Sequence, residues 1–165
     1  MVKDMIEVYA EYVNRPSSNG DDFFIWKKIE VKGHAQHTGY DTNRLVCAGI
    51  SSILGGIKEL MSFSSYHIEV EHGHFLVETD VNVESGKRHN IVTSLGGREF
   101  VYALETIIWQ LQYMFENYKP AFKKFELVDV KGKYEDETTN NKQHKPYKQR
   151  RCKMGVYSSK ESECS

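Results

Sequence analysis

Across residues 5–13 apolar and polar side chains alternate, with Ile6, Val8, Ala10 and Tyr12 on one side. A period of two predicts a strand with one buried face. Residues 14–22 turn the chain, because Arg15-Pro16-Ser17-Ser18-Asn19-Gly20 is dense in turn formers, and residues 23–32 resume as a second strand paired with the first. The period then changes. Over residues 43–61, Val46, Ile50, Ile53, Leu54, Ile57, Leu60 and Met61 recur at helical spacing, and Asp41, Thr42 and Asn43 are competent N-caps. Ala48, Gly49, Ser52, Gly55 and Gly56 occupy other faces of that helix and leave room for a close neighbour. Residues 66–71 and 75–83 predict two more strands joined by the tight turn His72-Gly73-His74. Residues 97–118 predict a second helix with a stripe of Phe100, Ala103, Leu104, Ile107, Ile108, Leu111, Met114 and Phe115. Pro120 stops it, and residues 122–130 return as a last strand. The order β-β-α-β-β-α-β predicts an α+β, two-layer fold: an antiparallel-rich sheet with two helices on one face.

Cysteine-histidine chemistry is the candidate function. Cys47 falls near the expected helix start, and His34 closes the strand before it across a short polar loop. A thiolate at a helix N-terminus is stabilised by unpaired backbone N–H groups and the helix dipole, and a nearby imidazolium adds to this. The same cysteine, flanked by Val46, Ala48 and Ile50, also reads as a small core hydrophobe, and spacing alone leaves both readings open. His37 competes with His34 as a base but sits in the loop. His67, His72 and His74 raise a metal reading, since positions 72 and 74 would share a face of a strand. The turn glycine between them breaks that alternation and no cysteine lies nearby in sequence, so neither a metal nor a cofactor is assigned.

Gly33-His34-Ala35, the loop with Gly39 and Asp41, and Leu45-Val46-Cys47-Ala48-Gly49-Ile50-Ser51 resemble the motifs of the ribosomal-processing cysteine protease family, Prp. The order of elements through Val130 is similar to that family's as well. The resemblance implies a catalytic pair of His34 and Cys47, with the family's serine one turn after the cysteine at Ser51. It implies a cysteine endopeptidase, a homodimer, that removes the N-terminal extension of a bacterial large-subunit ribosomal protein after a pair of aromatic residues. One position departs from the pattern: where family members carry an acid three residues before the cysteine, this chain has Arg44, and its nearest acid is Asp41. The separation of His34 and Cys47 is also slightly longer. Asp41, by orienting the imidazole, or Arg44, by its charge near the sulfur, is then a candidate supporting group. Backbone N–H groups at the helix start, with Cys47 and Ala48 as candidates, would hold the oxyanion. The loop over residues 35–43, with Gly39 as hinge and Tyr40 as an apolar contact, would order over a bound peptide.

Composition divides the chain. Its 165 residues, 39% hydrophobic and 12% aromatic, suffice for one compact domain with a core, expected over residues 1–130. That part carries 13 basic and 18 acidic residues, whereas residues 131–165 carry 9 basic and 5 acidic ones and almost no aliphatic side chains. The expectation there is a basic, disordered tail. Lys142, Lys145, Lys148, Arg150, Arg151 and Lys153, interleaved with His144 and Tyr147, suit contact with ribosomal RNA, and the alternative function is a non-catalytic ribosome- or RNA-associated binding protein using this tail. The three cysteines, Cys47, Cys152 and Cys164, make a poor disulfide framework and suggest a reducing compartment. No apolar run of membrane-spanning length stands out, so a cytoplasmic protein without membrane contact is expected.

Overall fold

The structure, a computed structural model, describes residues 5–16 and 19–131. The expected basic tail lies outside the described residues apart from Lys131. Five strands form one sheet: β1 (Ile6–Asn14), β2 (Phe24–Lys32), β3 (His67–Glu71), β4 (His74–Glu78) and β5 (Phe122–Asp129), in the spatial order β3-β4-β2-β1-β5. The pairs β1–β2, β2–β4 and β3–β4 are antiparallel, and β1–β5 is parallel. The predicted alternation sets the register. Val8 faces Val31, Ala10 faces Ile29, and Ile29 and Val31 face Val77 and Phe75 on the other side, so one sheet face collects apolar side chains. All six are buried, each worth roughly 1.5–3 kcal/mol for the larger ones. The opposite face carries Glu7, Tyr9 and Glu11 opposite Lys32, Glu30 and Lys28.

Among the described residues three α-helices accompany the sheet: α1 (Tyr40–Leu60), α2 (Arg88–Ser94) and α3 (Arg98–Asn117). The stripe of α3 is as predicted, with Phe100, Leu104, Ile107, Ile108 and Leu111 buried. It packs on α1, β2 and β5, and α1 reaches β3. The mixed α+β order therefore stands, with α2 added. This seven-residue helix is too short to show a stripe, and only Ile91 and Val92 within it are buried.

Two further boundaries differ from expectation. β4 ends at Glu78 rather than near 83, because β2 bulges between its pairs with Glu11 and Tyr12 and the chain leaves the sheet at Thr79. There the Thr79 hydroxyl donates to the Ser65 carbonyl and accepts from the Val81 N–H, while Asn82 Oδ1 accepts from the N–H groups of Glu84 and Ser85. Side-chain acceptors thus compete with the ladder. α1 starts at Tyr40, three residues before the expected Asn43, with Gly39 at φ 91 as its N-cap and no side-chain cap. The Asn43 N–H already bonds the Gly39 carbonyl, and Asn43 Oδ1 accepts from the Thr38 hydroxyl and N–H instead of capping. Asp41, Thr42 and Asn43 are first-turn residues, not caps.

Only Val46, Ile50, Leu54 and Ile57 of α1 are buried. Its Gly and Ser positions leave an outward side with few charges, and an apolar window within Tyr40–Phe63 reaches a mean hydropathy of 1.4 with 28% of it buried. By length and composition alone this equals a membrane span, which corrects the expectation that no segment would; a core helix passes the same test.

Candidate active site

β2 runs straight into Gly33 and His34, and the short connection to α1 brings the chain back over Cys47. Ala35 is buried, and its N–H donates to Cys47 Sγ at 3.3 Å. His34 and Cys47 line one cavity of about 320 Å³, together with Ser51 and Gly55 of α1 and Val70, His72 and Gly73 of the β3–β4 hairpin. Cys47 is half-buried and a free thiol. Thus the structure brings together His34, Cys47 and Ser51. No hydrogen bond joins His34 to the sulfur here: the imidazole packs on the His72 ring, centroids 4.8 Å apart, and on Gly73.

The other expected site residues sit elsewhere. Cys47 and Ala48 are not at the helix start but two turns inside α1, where backbone N–H groups bond carbonyls four residues back. Their N–H groups are therefore occupied, and the dipole, which acts mainly over the first turn, is weak at the sulfur. The backbone donor aimed at the sulfur is instead that of Ala35, which carries no sequence signal because every residue but proline has an N–H. Arg44 lays its guanidinium over the exposed Tyr40 ring, 5.5 Å from the centroid, and neither it nor Asp41 lines the cavity. Gly39 and Tyr40 belong to the start of α1, so the connecting loop ends at 39. His37 is exposed with φ 67 and is not a cavity residue.

The three hairpin histidines have separate surroundings. His67 Nε2 lies 2.9 Å from Glu69, His74 Nε2 lies 3.0 Å from Glu30, and His72 packs on His34. The hydrogen bond to Glu69 favours the charged form of His67 and raises its pKa against desolvation. Among the described residues, no three His, Cys, Asp or Glu side chains are gathered as metal ligands.

No protein-family model matches the chain, and no curated protein matches it. Among solved structures the chain is similar to the essential ribosomal processing protease Prp from S. aureus in complex with a substrate peptide, at 21% identity and a TM-score of 0.48 over 75% of this chain and 100% of that one. The same protease with a covalently linked product peptide gives 19% identity and a TM-score of 0.44 over 73% and 99%. SMU.848 from Streptococcus mutans gives 17% identity and a TM-score of 0.48 over 76% and 99%.

Proposed function

We propose that this chain is a cytoplasmic cysteine endopeptidase that trims the N-terminal extension of a large-subunit ribosomal protein, with Cys47 as nucleophile and His34 as general acid and base. The observation that carries the chemistry is a thiol and an imidazole on the wall of one cavity, with a peptide N–H already donating to the sulfur. The substrate rests on the resemblance of Gly33-His34-Ala35 and Leu45-Val46-Cys47-Ala48-Gly49-Ile50-Ser51 to the Prp motifs.

His34 takes the proton from the Cys47 thiol, and the sulfur adds to the scissile carbonyl. The carbonyl π electrons move to oxygen, where a backbone donor such as the Ala35 N–H stabilises the charge; removing one well-aimed donor costs about 2.7–4 kcal/mol in other hydrolases. His34 then protonates the leaving amine as the C–N bond breaks, leaving a thioester on Cys47. Next it takes a proton from water, whose oxygen adds to the thioester, and the C–S bond breaks as His34 returns the proton to the departing sulfur, releasing the peptide acid. The gap between imidazole and sulfur in the free protein closes by rotation of the Cys47 side chain as substrate fills the cavity, since catalytic hydrogen bonds commonly tighten in the complex.

The test is incubation of the purified protein with the ribosomal precursor, beside Cys47→Ser, followed by intact-mass measurement. The wild type should remove one N-terminal peptide and the variant none. Equal processing by Cys47→Ser would overturn the reading.

A further inference from the structure

Two consecutive residues of the β3–β4 turn lie against the His34 imidazole. The His72 ring lies against it, tilted by 40° with centroids 4.8 Å apart. Gly73, at φ 74, brings backbone so close that a Cβ on it would stand 2.6 Å from His34 Nε2. The turn is itself fixed to the end of β2: Lys32 pairs with His74, and the Gly33 N–H donates to the Gly73 carbonyl at 2.9 Å. Gly33, His34, His72 and Gly73 all line the cavity that holds Cys47. Cysteine and serine hydrolases orient their base with a third group, and the residue that the sequence offered for this, Asp41, lies off the cavity, as does Arg44.

We propose that His72 is the positioning residue for His34. Its ring lies tilted against the imidazole, with the Gly73 backbone close to Nε2, so the base is oriented by packing on a hairpin rather than by a carboxylate. A base left free to rotate spends less time aligned, and alignment enters kcat more than substrate binding. This inference rests on the proposed peptidase reaction.

The experiment compares the full-length wild type, His72→Ala, His72→Phe and Cys47→Ser at one pH, by steady-state cleavage of the precursor's N-terminal peptide and by NMR of the histidine ring protons. His72→Ala should lower kcat about three- to tenfold, the range that an aromatic contact supplies, with KM within about twofold. It should also shift the His34 ring resonances, while the thermal midpoint stays put. His72→Phe, which keeps a ring in place, should restore kcat. Wild-type kcat in His72→Ala, or a His72→Phe as slow as His72→Ala, would overturn the proposal. If wild type and Cys47→Ser are equally inert, the peptidase reading fails and the ring resonances alone decide: a His34 shift in His72→Ala supports the seat, and unchanged resonances remove it.

Discussion

The same small substitution should have opposite consequences at two glycines, and the structure says why. At Gly73 the backbone has φ 74, a conformation that costs an alanine about 1–2 kcal/mol. The added Cβ would also stand 2.6 Å from His34 Nε2, so the ring has to leave its seat. At Gly56, inside α1, nothing lies within 4 Å of an added Cβ, and alanine is the better helix former by about 0.8–1.0 kcal/mol. For a domain of this size each kcal/mol moves the melting temperature by about 3–4 °C. Gly73→Ala should therefore melt about 3–8 °C below wild type, and Gly56→Ala about 3 °C above it. Peptide cleavage separates the two further: Gly73→Ala should lose at least about tenfold in kcat, because misplaced catalytic groups are costly, whereas Gly56→Ala should keep the wild-type rate. Calorimetry and a fluorogenic peptide assay on the three proteins suffice. A Gly73→Ala protein that melts and cleaves like wild type would refute the account of the turn as a seat for His34.

Three other outcomes are expected. The Tyr66 hydroxyl donates to the Trp26 carbonyl at 2.7 Å in the core, and burial pushes the phenol's pKa far up; Tyr66→Phe should cost about 0.5–1.5 kcal/mol in urea denaturation. Burial alone would raise the Glu30 carboxyl, but hydrogen bonds from His74 and Lys32 outweigh it and hold the pKa below the ordinary value. A lowered pKa means stability that is present above the unfolded value of about 4.3 and lost as pH falls through the folded one. The stability difference between wild type and Glu30→Gln should thus be flat near neutrality and change only under acid, as pH-dependent urea melts would show. Ser51→Leu puts bulk into the cavity beside Cys47 and should raise the peptide KM severalfold with little change in melting temperature; an unchanged KM would mean that substrate does not pass this wall.

How far the letters foretold this molecule depends on what each part of it is made of. Strands and long helices advertise themselves through their buried faces, so β1, β2 and α3 were legible from Ile6-Val8-Ala10, from Ile29-Val31 and from the Phe100 to Leu111 stripe. The first turn of α1 was not, because Tyr40 is 74% exposed and no apolar residue precedes Val46 on the core side, so periodicity begins a turn and a half late. That error moved Cys47 to a helix end it does not occupy. His34 and Cys47 were visible as residue types near element boundaries. The donor at the sulfur was invisible because it is a main-chain N–H, and the contact of His72 with His34 was invisible because it is made by the pairing of β4 with β2.

The first strand of the sheet is also one of its middle ones, and it is closed on its far side by the last: Ile6 pairs with Phe122 and Tyr12 with Asp129. Synthesis from the N-terminus therefore leaves β1 with an open row of peptide groups until nearly all of the domain has been made. Such distant pairing slows folding and exposes a strand edge meanwhile. A message truncated just before Phe122 would yield not a smaller domain but a sticky one, with β1 offered to any neighbouring chain.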